Sequence, residues 1–197
     1  MKQSTKKQAV TASDTNALPG QPVSDPVQSS TGLPELFTNG IKDMYWAENH
    51  LVKSLPKMVD AAEDSKLKTA LSDHLELTKK HSDRLEKAFE LLGIKVQAKK
   101  CDSMEGLVMS GEHIIENTLA GSEARDTGII MSALKVENFE ITSYNGLIQL
   151  AASLGKSDIA DLLRKNLADE MEANEMLTMM SEKNAPSEVT VSAKSIS

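Results

Sequence analysis

Aromatic side chains are scarce in this 197-residue chain: one Trp, two Tyr and three Phe, about 3% of the sequence. Strands lean on aromatic and β-branched residues, whereas the Leu, Ala, Met, Glu and Lys that abound here favour helices. A single cysteine, Cys101, excludes a disulfide within one chain and any thiolate cluster. A metal site would therefore use oxygen and imidazole donors. Positive charge is also in deficit, with 22 Lys and Arg against 29 Asp and Glu and a net charge of -7. That balance removes the electrostatic footing for nucleic acid or an anionic membrane as partner. No stretch approaches the ~20 apolar residues of a membrane helix, and the opening MKQSTKKQAVTASDT has basic residues without an apolar segment. The expectation is a cytoplasmic chain with no nucleic-acid and no membrane partner.

Apolar residues make up 40% of the sequence, enough for one core of ordinary size. Residues 1–31 are rich in Ser, Thr, Gln, Pro and Gly and are expected to be a disordered arm, because they have little to bury against their ordering entropy. Residues 184–197 read as a second disordered tail, leaving one helical domain over 32–183. The first helix is expected from about Pro34, a favourable first-turn proline, to Asp60, with a bend at Pro56. A second runs from Ser65 to Leu92 and stops at Gly93. A short helix over residues 103–120 takes Ser103 as its N-cap, and two more long helices span Arg125 to Leu154 and Ser157 to Lys183.

Short links near 61–64 and 155–156 make the flanking helices antiparallel neighbours, while residues 94–124 are long enough to cross from one pair to the other. The predicted fold is all-α: a ferritin-like four-helix bundle of two antiparallel hairpins, joined by a long crossover that contains a short helix.

Each long helix carries an apolar stripe with a polar interruption near its middle. Alternating steps of four and three run through Phe37, Ile41 and Met44 to Glu48, then on through Leu51 and Leu55. In the second helix the same ruler gives Leu67, Leu71, His74, Thr78, His81 and Leu85. The third gives Ile130, Leu134, Glu137, Ile141, Tyr144 and Ile148, with Glu140 flanking the stripe one turn after Glu137. The fourth gives Ile159, Leu163, Asn166, Glu170, Ala173 and Leu177. Counted from the hairpin turns, these interruptions fall at one level of the bundle.

Taken singly, such residues are most often a solvated Glu or a hydrogen-bonded core His. Tyr144 reads as a packed residue with its hydroxyl satisfied, Met171, Met176, Met179 and Met180 as flexible apolar filler, and His50 and His113 as surface residues. Cys101 reads as an ordinary exposed cysteine. The coincidence of four helices at one depth is what calls for a further account. Several carboxylates buried together are costly unless they share protons or surround cations. Glu48, His74, Glu137, Glu140 and Glu170 therefore form the candidate ligand set for two divalent metal ions, iron or manganese, with His81 as a sixth or supporting member. The full pattern of paired Glu-x-x-His motifs is incomplete: Thr78 stands three residues before His81, and Ala173 three after Glu170.

The segments LVKSLPKM, KKCDSMEGL and KVENFEITSYNGL resemble the YciE/YciF-type ferritin-like family of bacterial stress-associated proteins, and the resemblance runs from Leu33 to about Lys183. It implies a ferritin-like bundle, a homodimer and a di-metal site, in a family whose activity is not established. The family's acidic residue three after the second-helix His is Leu77 here, and the acidic residue following its fourth-helix Glu pair is Asn174. The expected function is a stress-associated protein with a dinuclear carboxylate site that handles oxygen or peroxide. Its alternative is a non-enzymatic stress or interaction protein that keeps the bundle with an empty site.

Overall fold

Helix α1 (Leu33–Ala61) begins one residue before Pro34, whose missing N–H is no loss in a first turn. The computed structural model describes residues 32–184, so the expected arm and all of the expected tail but Asn184 lie outside the described residues. Pro56 is exposed, and α1 continues through it to Ala61. Asp64 caps α2 (Ser65–Leu92), its carboxylate accepting from the amides of Lys66 at 2.8 Å and Leu67 at 2.9 Å. Gly93, with φ of 68°, ends α2 in the left-handed conformation that favours glycine.

The connector after α2 is tied to α1: Lys99 donates its amide to the Lys42 carbonyl at 3.1 Å, and its ammonium lies 3.2 Å from Asp43. This docking presses Cys101 into the core at the head of α3 (Asp102–Asn117), so the cysteine is buried rather than exposed. Cys101 also occupies the N-cap position expected for Ser103, and α3 ends at Asn117, short of the expected Ala120. Ser122 caps α4 (Glu123–Ser153), accepting from the Arg125 amide at 3.2 Å. After the turn at Gly155, α5 (Ser157–Asn184) completes the described chain.

All described regular structure is helical. α1 packs against α2, α3 and α4, while α5 packs against α2 and α4. Asp126, in the first turn of α4, accepts from the amides of Glu63 and Asp64, both at 2.8 Å, and so locks the α1–α2 turn to α4. α4 touches three helices, and its buried face is correspondingly wide. Leu134, Ile141 and Ile148, expected in its seam, are half-buried, whereas Glu140, expected on the flank, is fully buried.

Two apolar cores fill the interior. One, nearer the α1–α2 turn, contains Leu51, Leu55, Leu71, Met104, Ile130 and Leu177. The other contains Phe37, Ile41, Leu85, Phe89, Leu147 and Leu163. On every long helix the polar interruption falls between the two. Burial at both ends fixes the helices around that level and keeps the surroundings of the polar layer apolar.

Candidate metal centre

All six side chains named from the sequence meet in this layer. Glu48, His81, Glu140 and Glu170 are fully buried, and Glu137 and His74 are 3% and 8% exposed. One group that could hold a metal ion comprises His74, Glu137, Glu140 and Glu170; a second comprises Glu48, His81 and Glu170. Within each group, one donor atom from every member lies within 4.8 Å of the others. Glu170 belongs to both. His81, expected as a sixth or supporting member, is as deeply placed as any of the carboxylates.

Distances tie the set together. His81 Nδ1 lies 2.8 Å from Glu170 Oε1 and 3.5 Å from Glu48 Oε2, yet without the alignment of a hydrogen bond. These are charge contacts. His74 Nε2 lies 3.4 Å from Glu137 Oε1 and 3.8 Å from Glu170 Oε2. The two imidazole rings stand 6.4 Å apart, centre to centre.

Electrostatics divide the carboxyls. Burial pushes Glu137 and Glu140 well above the ordinary carboxyl range, and the Glu170 charge adds to the effect. Burial also raises Glu48. For His81, burial favours the neutral ring, but Glu170 and Glu48 outweigh it and push its pKa up to about 10. Glu170, although buried, is held below its ordinary value by His81. His74 is lowered by burial. Without metal, then, their mutual attraction favours the charged forms of Glu170 and His81, while burial favours the protonated forms of Glu48, Glu137 and Glu140.

The donor set fits a hard or borderline cation. Among the described residues, Glu48 Oε2, Glu137 Oε2, both oxygens of Glu140 and Nδ1 of His74 are buried with no hydrogen-bond partner. Unpaired buried acceptors of this kind each cost about 1–3 kcal/mol, and a coordinated cation would satisfy them. Carboxylate oxygen with one imidazole per group is chemistry that iron and manganese accept.

An outer ring of side chains, of which Asp169 and Arg84 were unassigned in the sequence, orients these donors. His81 Nε2 lies 3.3 Å from Asp169, and Arg84 donates to that carboxylate at 2.6 Å. A carboxylate behind an imidazole fixes the ring's orientation and raises its basicity. Tyr144 donates its hydroxyl to Glu48 and accepts from Asn166 Nδ2 at 2.8 Å, so the expectation of a packed tyrosine with a satisfied hydroxyl is met. A helical signal was available for the ring: Arg84 is three residues after His81, and Asn166 is four before Glu170. Thr78 is fully buried and bonds back to the His74 carbonyl at 2.8 Å, so no carboxylate enters at that position. His50 is half-buried and stacked on Trp46 at 4.5 Å, whereas His113 is exposed as expected.

Helices alone around two buried carboxylate–imidazole groups define a protein of ferritin-like fold. The structure of symerythrin from Cyanophora paradoxa agrees, with a TM-score of 0.59 over 83% of this chain and 91% of that one; at 15% identity the likeness concerns fold alone. The chain belongs to the family described as a domain of unknown function, DUF892, whose pattern matches residues 32–190. Protein YciF of Escherichia coli K12 is 35% identical over 147 residues, which span 74% of this chain and 88% of YciF. The crystal structure of that E. coli stress protein aligns with a TM-score of 0.74 at 33% identity, over 78% of this chain and 96% of that one. YcfI from Rhodopseudomonas palustris aligns with a TM-score of 0.73 at 34% identity, over 78% and 98%. The resemblance read from the sequence segments is thereby borne out. Among the described residues no helix is long and apolar enough to cross a membrane.

Proposed function

We propose that this protein is a stress-associated ferritin-like bundle of two antiparallel hairpins that binds two divalent ions, iron or manganese, and uses them on oxygen or peroxide. The observation that carries the proposal is the cluster of buried acceptor atoms without hydrogen-bond partners, drawn from four helices and divided into two groups that share Glu170. Glu48 and His81 would hold one ion and His74, Glu137 and Glu140 the other, with Glu170 available to both groups. Bound there in reduced form, such a pair would supply electrons to oxygen or peroxide and be oxidised in turn. Tyr144 holds Glu48, Asp169 holds His81, and the two apolar cores limit water at the centre. The stress role follows the description of E. coli YciF. A homodimer is part of the same proposal; exposed Met131, Met171 and Met179 offer apolar surface for it.

Calorimetric titration of metal-free protein with Fe(II) or Mn(II) tests the metal claim, with two equivalents per chain expected and a much reduced stoichiometry in Glu137→Ala. Equal stoichiometry in that variant would reject the ligand assignment. A second reading, an interaction protein without metal chemistry, draws on the Glu170–His81 contact at 2.8 Å, which can neutralise part of the layer without a cation. It predicts a melting temperature indifferent to chelator.

A further inference from the structure

On the α1–α2 turn side of Glu137, the five helices leave a cavity of about 360 Å³. Its wall is mostly hydrocarbon, from residues such as Leu51, Leu71, Leu107, Val136, Ala173 and Leu177. His74 and Glu137 close one part of it, so it reaches the candidate metal centre directly. At about 30 Å³ per water-sized group, it would take roughly a dozen such groups, the range of a small organic molecule.

Two further features define what fits. Ser132 lines the cavity, is only 6% exposed, and its hydroxyl has no hydrogen-bond partner among the described residues. A buried hydroxyl without a partner is costly, so an occupant with one hydrogen-bonding group is favoured there. Ser132 and Glu137 are five residues apart on α4, which corresponds to about 7.5 Å of helix rise, so one elongated molecule can touch both. The charged residues on the lining other than Glu137 are Asp73, Asp169 and Glu172; none of its described residues is Lys or Arg. A carboxylate or phosphate would therefore meet like charge and no counter-ion.

From these observations we infer that the cavity binds a neutral medium-chain aliphatic molecule with one hydrogen-bonding end, the end at Ser132 and the hydrocarbon along Leu51, Leu71, Val136 and Leu177. The inference deepens the proposed oxygen or peroxide chemistry by naming a substrate class, and it rests on that reading for turnover but not for binding.

The test is calorimetry of the full chain, stripped of metal, with 1-nonanol and with nonanoate as probes. Wild-type protein is expected to bind nonanol, and nonanoate at least about tenfold more weakly. Ser132→Ala should weaken nonanol about fivefold, the effect of one hydrogen bond. Ala133→Phe, which fills the cavity, should abolish binding while its circular dichroism stays helical. Absence of nonanol binding, equal or tighter nonanoate binding, or wild-type affinity in Ser132→Ala would each overturn the inference. Should Ala133→Phe fail to fold, Ser132→Ala and the nonanoate comparison decide. Glu48 does not line the cavity, so Glu48→Ala separates the two proposals: lost metal with nonanol binding intact leaves each standing, while a wild type that binds nonanol but takes up no metal removes only the metal reading.

Discussion

Oε1 of Glu170 lies 2.8 Å from Nδ1 of His81, and Oε2 of the same carboxylate lies 3.8 Å from His74. One side chain of α5 thus faces both imidazoles of α2, at the level where the two apolar cores meet. The charge state of the whole layer follows from that placement, and so do the predictions below.

Metal-free protein should lose stability as pH rises from about 6.5 to about 10. In this window His81 keeps in the folded state a proton that the unfolded chain has lost, since its folded pKa is about 10 against an ordinary 6.5. Its contribution is complete below about 6.5 and disappears as pH passes its folded pKa. Glu137 and Glu140, held well above their ordinary 4.5, act with the same sign, because the unfolded chain has already ionised them. Glu170, lowered, is deprotonated in both states there and contributes no slope, whereas His74, lowered by burial, opposes the trend weakly near pH 6.5, where the unfolded chain still holds part of its proton. Thermal melts in chelator at pH 6.5 and 9 check this, and bound metal should flatten the difference; a rise in melting temperature toward pH 9 would contradict it.

Glu140→Leu should stabilise the metal-free protein by about 1–3 kcal/mol, because it replaces a fully buried carboxyl with two unpaired oxygens by hydrocarbon of similar volume. Urea denaturation under chelator measures the gain. The same variant should bind less metal, so stability and metal uptake move in opposite directions.

Asp169→Asn should weaken metal binding about 10- to 100-fold, since the carboxylate behind His81 Nε2 would no longer orient the ring. Competition with a metal-sensitive dye reads the affinity. Circular dichroism should stay unchanged, because Asp169 is partly exposed and outside the apolar cores.

A fold-level check comes from Asp126→Ala. Its carboxylate accepts two amides of the α1–α2 turn, and their loss should cost about 3 kcal/mol. Chemical denaturation gives the value, and a change below about 0.5 kcal/mol would mean the turn finds other partners.

The helices and the site were largely legible because both depend on helical periodicity. Glu48, His74, His81 and Glu170 fall on their apolar stripes, and burial follows the stripe. α4 was less legible: it packs against three helices, apolar residues spread round it, and the ruler placed Ile141 rather than Glu140 in the seam. Cys101 was misplaced because its burial depends on the docking of Lys99 against Lys42, a contact between residues far apart in sequence. Asp169 and Arg84 were missed for a related reason. On a helical wheel they are flank residues, and only the approach of α5 to α2 brings Asp169 to both His81 and Arg84.

The most direct test of the central claim is metal content per chain, by elemental mass spectrometry on full-length protein purified without chelator or polyhistidine tag and reconstituted with iron or manganese. The account predicts about two ions per chain, one for each buried group, and their loss in Glu170→Ala, which removes the carboxylate common to both. Wild-type protein that takes up no iron or manganese would contradict it.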